Sequence, residues 1–174
     1  MSKSKNKKIY DSKPPFLILL TGICIAFFIK FFVFDILRIQ GTSMEPKFSD
    51  GKFVLLNKLA YGLCKPFGGS LIFSWESPKE DDVVIYLYQD HYVIKRCAAT
   101  EGAPLEYSTE RGYTLLVGEK LIPLTEKQFH LIKNSNAVPE GTILAIGDNY
   151  NSSVDSRDYG FIPVKNVIGK ILCK

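Results

Sequence analysis

Phe16-Leu17-Ile18-Leu19-Leu20-Thr21-Gly22-Ile23-Cys24-Ile25-Ala26-Phe27-Phe28-Ile29-Lys30-Phe31-Phe32-Val33-Phe34 is an apolar run of nineteen residues broken by one charge. As a helix rising ~1.5 Å per residue it extends roughly 28 Å, close to the ~30 Å hydrocarbon core of a bilayer. Lys30 stands near the far end, where its stem can carry the ammonium to the headgroups. A buried helix of a soluble domain keeps a polar stripe, and this run has almost none. A cleaved signal segment has a shorter apolar core and a small-x-small cleavage site, which the following Asp35-Ile36-Leu37-Arg38-Ile39-Gln40 does not offer. Residues 14–35 therefore read as an uncleaved transmembrane anchor.

The charges orient that anchor. The chain has 174 residues, with 22 Lys+Arg against 18 Asp+Glu and a net charge of +4. Lys3, Lys5, Lys7, Lys8 and Lys13 against Asp11 place the whole excess in residues 1–13 and leave the rest balanced. The positive-inside rule makes residues 1–13 a basic cytoplasmic tail and sets residues 36–174 on the outer side of the cell (cytoplasmic) membrane. A neutral body behind a short basic tail argues against a nucleic-acid partner and for the lipid bilayer. A composition that is 46% hydrophobic excludes a disordered chain. The four cysteines lack CxxC spacing, which excludes a zinc ribbon and a dense disulfide framework. Cys24 lies in the span, and no bridge is assigned among Cys64, Cys97 and Cys173.

The outer residues suffice for one domain with its own core. Strand-length segments rich in β-branched and aromatic residues occur at Ile36–Gln40, Lys52–Leu56, Val83–Tyr88, Tyr92–Ala98, Tyr113–Val117, Thr142–Ile146 and Val167–Leu172, bounded by turn-forming residues. Gln89-Asp90-His91 reads as a hairpin tip and Glu126–Lys133 as a turn or two of helix. The expected fold is mainly β, an antiparallel sheet behind a single N-terminal helix.

Three patches can carry chemistry. Gln40-Gly41-Thr42-Ser43-Met44-Glu45-Pro46 follows a short strand, and its Gly and Pro bracket a bend that presents the Ser43 hydroxyl, though such composition is ordinary in turns. In Tyr92-Val93-Ile94-Lys95-Arg96-Cys97-Ala98-Ala99, alternation puts Lys95 on one face with Val93, Cys97 and Ala99, and Arg96 on the other with Tyr92 and Ile94. If the lysine face is the inner one, desolvation depresses the amine pKa; if it faces water, Lys95 is an ordinary strand lysine. The third patch, Gly147–Gly160, is dense in small hydrogen-bonding residues, and Asp155 and Arg157 can pair within it. Together they suggest a Ser/Lys dyad, since a neutral lysine amine can serve a serine as base. His91 and His130 offer a rival Ser/His/Asp reading without telling context.

The order Gly-x-Ser-Met-x-Pro, an apolar strand ending Ile-Lys-Arg, then Gly-Asp-Asn…Ser-x-Asp-Ser-Arg…Gly resembles the bacterial type I signal peptidases. Asp82-Val83-Val84-Ile85-Tyr86, Val138-Pro139-Glu140-Gly141 and Gly160-Phe161-Ile162-Pro163 are similar to that family as well, while residues 103–135 look like a less characteristic insertion. The resemblance implies a membrane-bound serine endopeptidase that removes signal peptides from exported preproteins after small residues (A-x-A), without metal, cofactor or obligatory protein partner. It implies Ser43 as nucleophile, Lys95 as general base, Ser153 as a hydrogen-bond partner of that lysine, and Asp155 and Arg157 as supports of the loop. Ile39, Met44, Val93 and Ile94 match positions lining the pockets for small side chains. Some relatives add a serine oxyanion donor where this chain has Gly41. Lys47, Ser152 and Asp158 depart from the common Thr, Asn and aromatic residue.

Ser43 lies nine residues past Phe34, hence within ~30 Å of the outer membrane surface even on an extended chain. An apolar patch near Ile39, Met44 and Phe48 is expected to rest on the lipid. Two rival functions share these features: a related Ser/Lys processing peptidase of conjugation, pilin or mitochondrial inner-membrane type, and a non-catalytic anchored β module.

Overall fold

The computed structural model describes residues 14–65, 70–110 and 112–172; the basic segment 1–13 and Cys173 lie outside them. Helix α1 (Pro15–Phe28) begins on a proline, whose missing N–H is unneeded at a first helical position. It runs on through a π-helical turn, Ile29–Val33. The resulting 19-residue apolar helix, Pro15–Val33, has 0% of its most apolar window buried by the rest of the chain, as a segment solvated by lipid requires.

Strand β1 (Phe34–Arg38) leaves directly from the helix end and pairs antiparallel with β2 (Phe53–Asn57). A short hairpin follows, β3 (Gly62–Cys64) with β4 (Leu71–Ser74). Next comes the long pair β5 (Val83–Tyr88) and β6 (His91–Thr100). Residues 103–135 build a small sheet of β7 (Glu106–Ser108), β8 (Thr114–Val117) and β9 (Lys120–Pro123), then helix α2 (Glu126–Ile132). The chain closes with β10 (Thr142–Ile146), the single-turn helix α3 (Ser156–Tyr159), β11 (Ile162–Pro163) and β12 (Val167–Ile171). Among the described residues the main sheet has seven strands in the order β1-β2-β12-β5-β6-β10-β11, every adjacent pair antiparallel.

All seven expected strands are present, with ends either in place or moved by at most two residues, and α2 falls within the expected Glu126–Lys133. Its N-terminus is a capping box: the Thr125 hydroxyl accepts from the Gln128 amide at 3.3 Å and Gln128 Oε1 accepts from the Thr125 amide at 2.9 Å. The hairpin tip is only Gln89-Asp90, at φ 47° and 63°, and His91 already pairs with Tyr88 in the ladder. Two consecutive positive φ values are what a tight hairpin with right-handed strand twist demands.

The sheet is covered on both faces near its centre. One cluster gathers Ile39, Met44, Phe48, Val54, Leu56, Val83 and Ile85; another gathers Tyr61, Val84, Tyr86, Cys97, Ile143 and Val167. A third, with Leu115, Ile122, Ile132 and Val138, packs the 103–135 segment onto Ala98, Ala99, Leu144 and Ile146. An extra residue at Ala98 breaks the β6 alternation, since Ala145 faces Cys97 while Leu144 faces Ala99. Ala99 therefore does not continue the Lys95 face, contrary to the simple period-two reading.

The lipid-facing patch expected at Ile39, Met44 and Phe48 is a second correction. These residues are 4%, 1% and 0% exposed. They plug the 39–48 bend into the core, each complete burial being worth ~1.5–3 kcal/mol. The exposed apolar residues beside the membrane helix are instead Phe34, Ile36, Phe53 and Leu55, which share the outer face of β1 and β2.

Candidate active site

The bend after β1 is tied down at each end. Ile39 exchanges backbone hydrogen bonds with Lys52 and Gly51, and the Gly41 amide donates to Asp50 Oδ1 at 2.8 Å. Gly41 has φ +85°, a conformation disfavoured for any residue with a Cβ. Its lack of a side-chain donor thus goes with the backbone path rather than being a free substitution. Inside the bend the Phe48 amide donates to Met44 O, and the two buried side chains leave Ser43 between them and the surface, half-buried.

Lys95 projects from β6 opposite Val84, which is wholly buried, and is itself 4% exposed. The lysine face is the inner one. The Lys95 Nζ donates to Ser43 Oγ at 2.7 Å, joining two segments 52 positions apart in sequence. Burial pulls the amine below the ordinary lysine value; nearby Asp155 and Asp148 favour the charged form and Arg157 opposes it. Desolvation is the largest of these influences, so the site moves the amine toward its neutral form beside a hydroxyl.

The 147–160 loop holds this contact from the far side. The Asn149 amide donates to Ser43 O at 3.0 Å and its side-chain Nδ2 to Thr42 O at 3.2 Å, so one residue fixes two successive carbonyls of the serine bend. Arg96, on the opposite face of β6 from Lys95, binds Asp148 through Nε at 2.7 Å and Nη2 at 2.6 Å, a bidentate clamp between strand and loop. Asp155 and Arg157 are 0% and 2% exposed and pair at 2.9 Å. Arg157 further donates to the carbonyls of Pro123, Tyr150 and Ser153, while Asp155 accepts from the Gly147 amide at 3.0 Å. Asp158, one of the departures, completes the cap of α3 by accepting from the Asp155 amide and also accepts from Gln128 Nε2 at 2.8 Å. An aromatic residue there could do neither. Ser152 is likewise used: its Oγ accepts from Thr42 Oγ1 at 3.3 Å.

Ser153 departs from expectation. It is 6% exposed, yet its Oγ has no hydrogen-bond partner among the described residues, so the bond to Lys95 implied by the resemblance is not made. Gly147 explains part of the crowding. A Cβ built on it would stand 2.2 Å from Ser153 Oγ and 2.6 Å from Ser43 O. Gly147→Ala is expected to cost about 1–3 kcal/mol of stability by overpacking. Because one of the displaced atoms is the backbone carbonyl of Ser43, whose hydroxyl meets Lys95, the same change is expected to shift that hydroxyl and lower cleavage by ~10²-fold. Denaturant unfolding and a cleavage assay measure the two effects separately.

Ser43 and Lys95 open into a cleft of about 700 Å³. All four expected pocket residues, Ile39, Met44, Val93 and Ile94, line it. Leu37, Tyr92 and Val154 line it too; a sequence pattern gives no sign of Val154, which reaches it from the loop. His91 and His130 do not line the cleft, and His130 faces Glu126 at 3.9 Å on α2. Among the described residues no group of three or more His, Cys, Asp or Glu could hold a metal ion.

Comparison with known proteins agrees in one direction. The family described as signal peptidase, peptidase S26, matches residues 14–174. Signal peptidase I of Bacillus caldolyticus is 29% identical over 98% of this chain and 92% of its own length. Signal peptidase I V of Bacillus subtilis is 27% identical over 90% of this chain and 94% of its own. A probable signal peptidase I of Synechocystis is 30% identical over 89% of this chain and 78% of its own. A crystal structure of a signal peptidase I from Enterococcus faecalis is 25% identical, covers 57% of this chain and all of that one, and gives a TM-score of 0.41. With its apolar N-terminal helix and mainly antiparallel β domain, the chain belongs to the signal peptidase family of serine peptidases, peptidase S26.

Proposed function

We propose that this membrane-anchored signal peptidase cleaves preproteins through a Ser43–Lys95 dyad. The observation that carries the reading is the 2.7 Å contact between Lys95 Nζ and Ser43 Oγ with the amine buried. Neutral Lys95 takes the Ser43 proton as the hydroxyl attacks the scissile carbonyl, an acyl-enzyme forms on Ser43, and the ammonium returns the proton to the leaving amine. Water activated by the same lysine then releases the acyl group. The Ser43 amide, which makes no internal hydrogen bond among the described residues, supplies an oxyanion donor. The preprotein lies extended in the cleft between the segment after β1 and strand β6. The apolar walls made by Ile39, Met44, Val93 and Ile94 leave room for small side chains before the cut, the A-x-A pattern. Asp155 and Arg157 hold the loop, and Ser153 packs beside the dyad.

In the cell (cytoplasmic) membrane, residues 1–13 face the cytoplasm, residues 14–35 span, and 36–174 work outside, on the side where preprotein cleavage sites emerge. Only lipid and the preprotein are needed as partners.

The pH dependence tests the base. Only the neutral amine accepts a proton, so kcat/KM rises with pH, with a midpoint below the ordinary lysine value of 10.5. Folding carries the same sign. The unfolded chain binds the Lys95 proton more tightly than the folded one, so this residue makes stability rise with pH between its folded and unfolded pKa values. Lys95→Met is expected to remove that slope. A flat rate profile across the alkaline limb, or a slope unchanged in Lys95→Met, rules the neutral-lysine base out.

A further inference from the structure

One side chain reaches back to carbonyls at the end of the helix that enters the membrane. Lys58, the first residue after β2, donates from Nζ to Lys30 O at 3.1 Å and Phe31 O at 3.4 Å, and from its backbone amide to Val33 O at 2.8 Å. The same Nζ pairs with Asp35 Oδ2 at 2.8 Å, and the two side chains are only 20% and 28% exposed. A cation at a helix C-terminus is favoured by the helix dipole. Here that cation comes from a different element, which the Phe34–Asn57 pairing brings across from the helix end.

We infer that Lys58 is a positioning residue: it braces the membrane helix against β1–β2 and so fixes the height of Ser43 above the bilayer. The inference rests on the proposal that Ser43 cuts the preprotein. Without the Lys58 side chain the junction keeps the strand leaving the helix and the Lys58 amide bond to Val33 O, and membrane helices tilt over a range of some 0–40°. A swing of about 20° over a lever of ~25 Å, within the reach of the nine-residue step from Phe34 to Ser43, moves the hydroxyl by ~9 Å. That is nearly three residues of extended substrate. A substrate held in the same bilayer would then meet Ser43 at the wrong position, whereas a free peptide would not notice.

The test uses the full chain in lipid vesicles, with Lys58→Met, which keeps length and loses the donor, and Lys58→Arg, which restores donors and charge. Substrates are a preprotein inserted in the same vesicles and a short soluble peptide spanning its cleavage site. For Lys58→Met, kcat/KM on the inserted preprotein is expected to fall about ten-fold, with new products cut within about three residues of the normal site. Cleavage of the soluble peptide is expected to stay at the wild-type level, and Lys58→Arg to recover the inserted substrate. Spin labels at Ile18 and Leu121, attached without using cysteine, should give a narrow distance distribution in wild type and a broad one in Lys58→Met. Equal loss on both substrates, loss on neither, or an unchanged distribution overturns the brace. The distance distribution is independent of cleavage, so it decides on the brace even if Ser43 is not the nucleophile.

Discussion

Lys95→Met and Ser43→Ala enzymes are each expected to lose at least ~10⁴-fold in preprotein cleavage while remaining folded. The reason is that the two groups act as one unit. Without the amine, Ser43 keeps its proton near neutral pH and is a poor nucleophile; without the hydroxyl, the amine has nothing to activate. The double variant should therefore be no worse than either single one. Lys95→Arg is also expected to fail, because a guanidinium does not give up its charge and cannot take a proton. Stability should move the other way. Methionine carries no charge into the 4%-exposed site, so Lys95→Met is expected to fold at least as well as wild type below the lysine pKa. Circular dichroism with a preprotein cleavage assay separates loss of chemistry from loss of fold, and retained cleavage in either variant removes the dyad.

Arg157→Ala is expected to have the largest effect on the fold. The guanidinium is 2% exposed and bound to Asp155, which is 0% exposed, so truncation leaves a carboxylate buried without its cation. Breaking such a pair costs about 3–5 kcal/mol, and in a domain of this size that lowers the melting temperature by roughly 10 °C. The carbonyls of Pro123, Tyr150 and Ser153 lose a donor as well. Pro123 belongs to β9, so the change also loosens the 103–135 segment from the active-site loop. Arg157→Lys should recover little, since an ammonium cannot reach all these acceptors at once. Replacing both members by apolar residues of similar volume is expected to cost less than removing either one alone. Thermal unfolding of the set shows whether the pair acts as this buried clamp; a shift of a degree or two for Arg157→Ala would mean that it does not.

The sequence carried the long-range plan better than the local detail. The Phe16–Phe34 run and the β-branched segments expose their roles because length and period suffice. Strands β3, β4, β7, β9 and β11 went unread because they are two to four residues long, and all but β4 include glycine, charged residues or proline, so tertiary pairing rather than pattern makes them strands. Alternation placed Lys95 on a face but could not say which face is inside, since Val93, Lys95 and Cys97 on one side and Tyr92, Ile94 and Arg96 on the other each mix apolar residues with one basic residue. Met44 and Phe48 illustrate the converse limit: an apolar cluster near a membrane looks lipid-facing until the bend that buries it is known. Asn149, Asp148 and Gly147 stood in a recognised motif, yet their individual work was invisible. Each acts on a backbone group or partner brought close only by folding. Lys58 gave no signal at all, because two of its side chain's acceptors are backbone carbonyls and the third, Asp35, is brought close only by the β1–β2 pairing.

The most direct measurement is the titration of the Lys95 amine itself. With lysine labelled at Cε and Nζ and Lys95→Met used for assignment, its resonance can be followed against pH in the folded enzyme. A midpoint clearly below 10.5, rising toward that value when Ser43→Ala or unfolding opens the site to water, is the expected result. A midpoint at or above that of an exposed lysine contradicts the dyad, because the amine beside Ser43 would then carry its proton wherever the enzyme works.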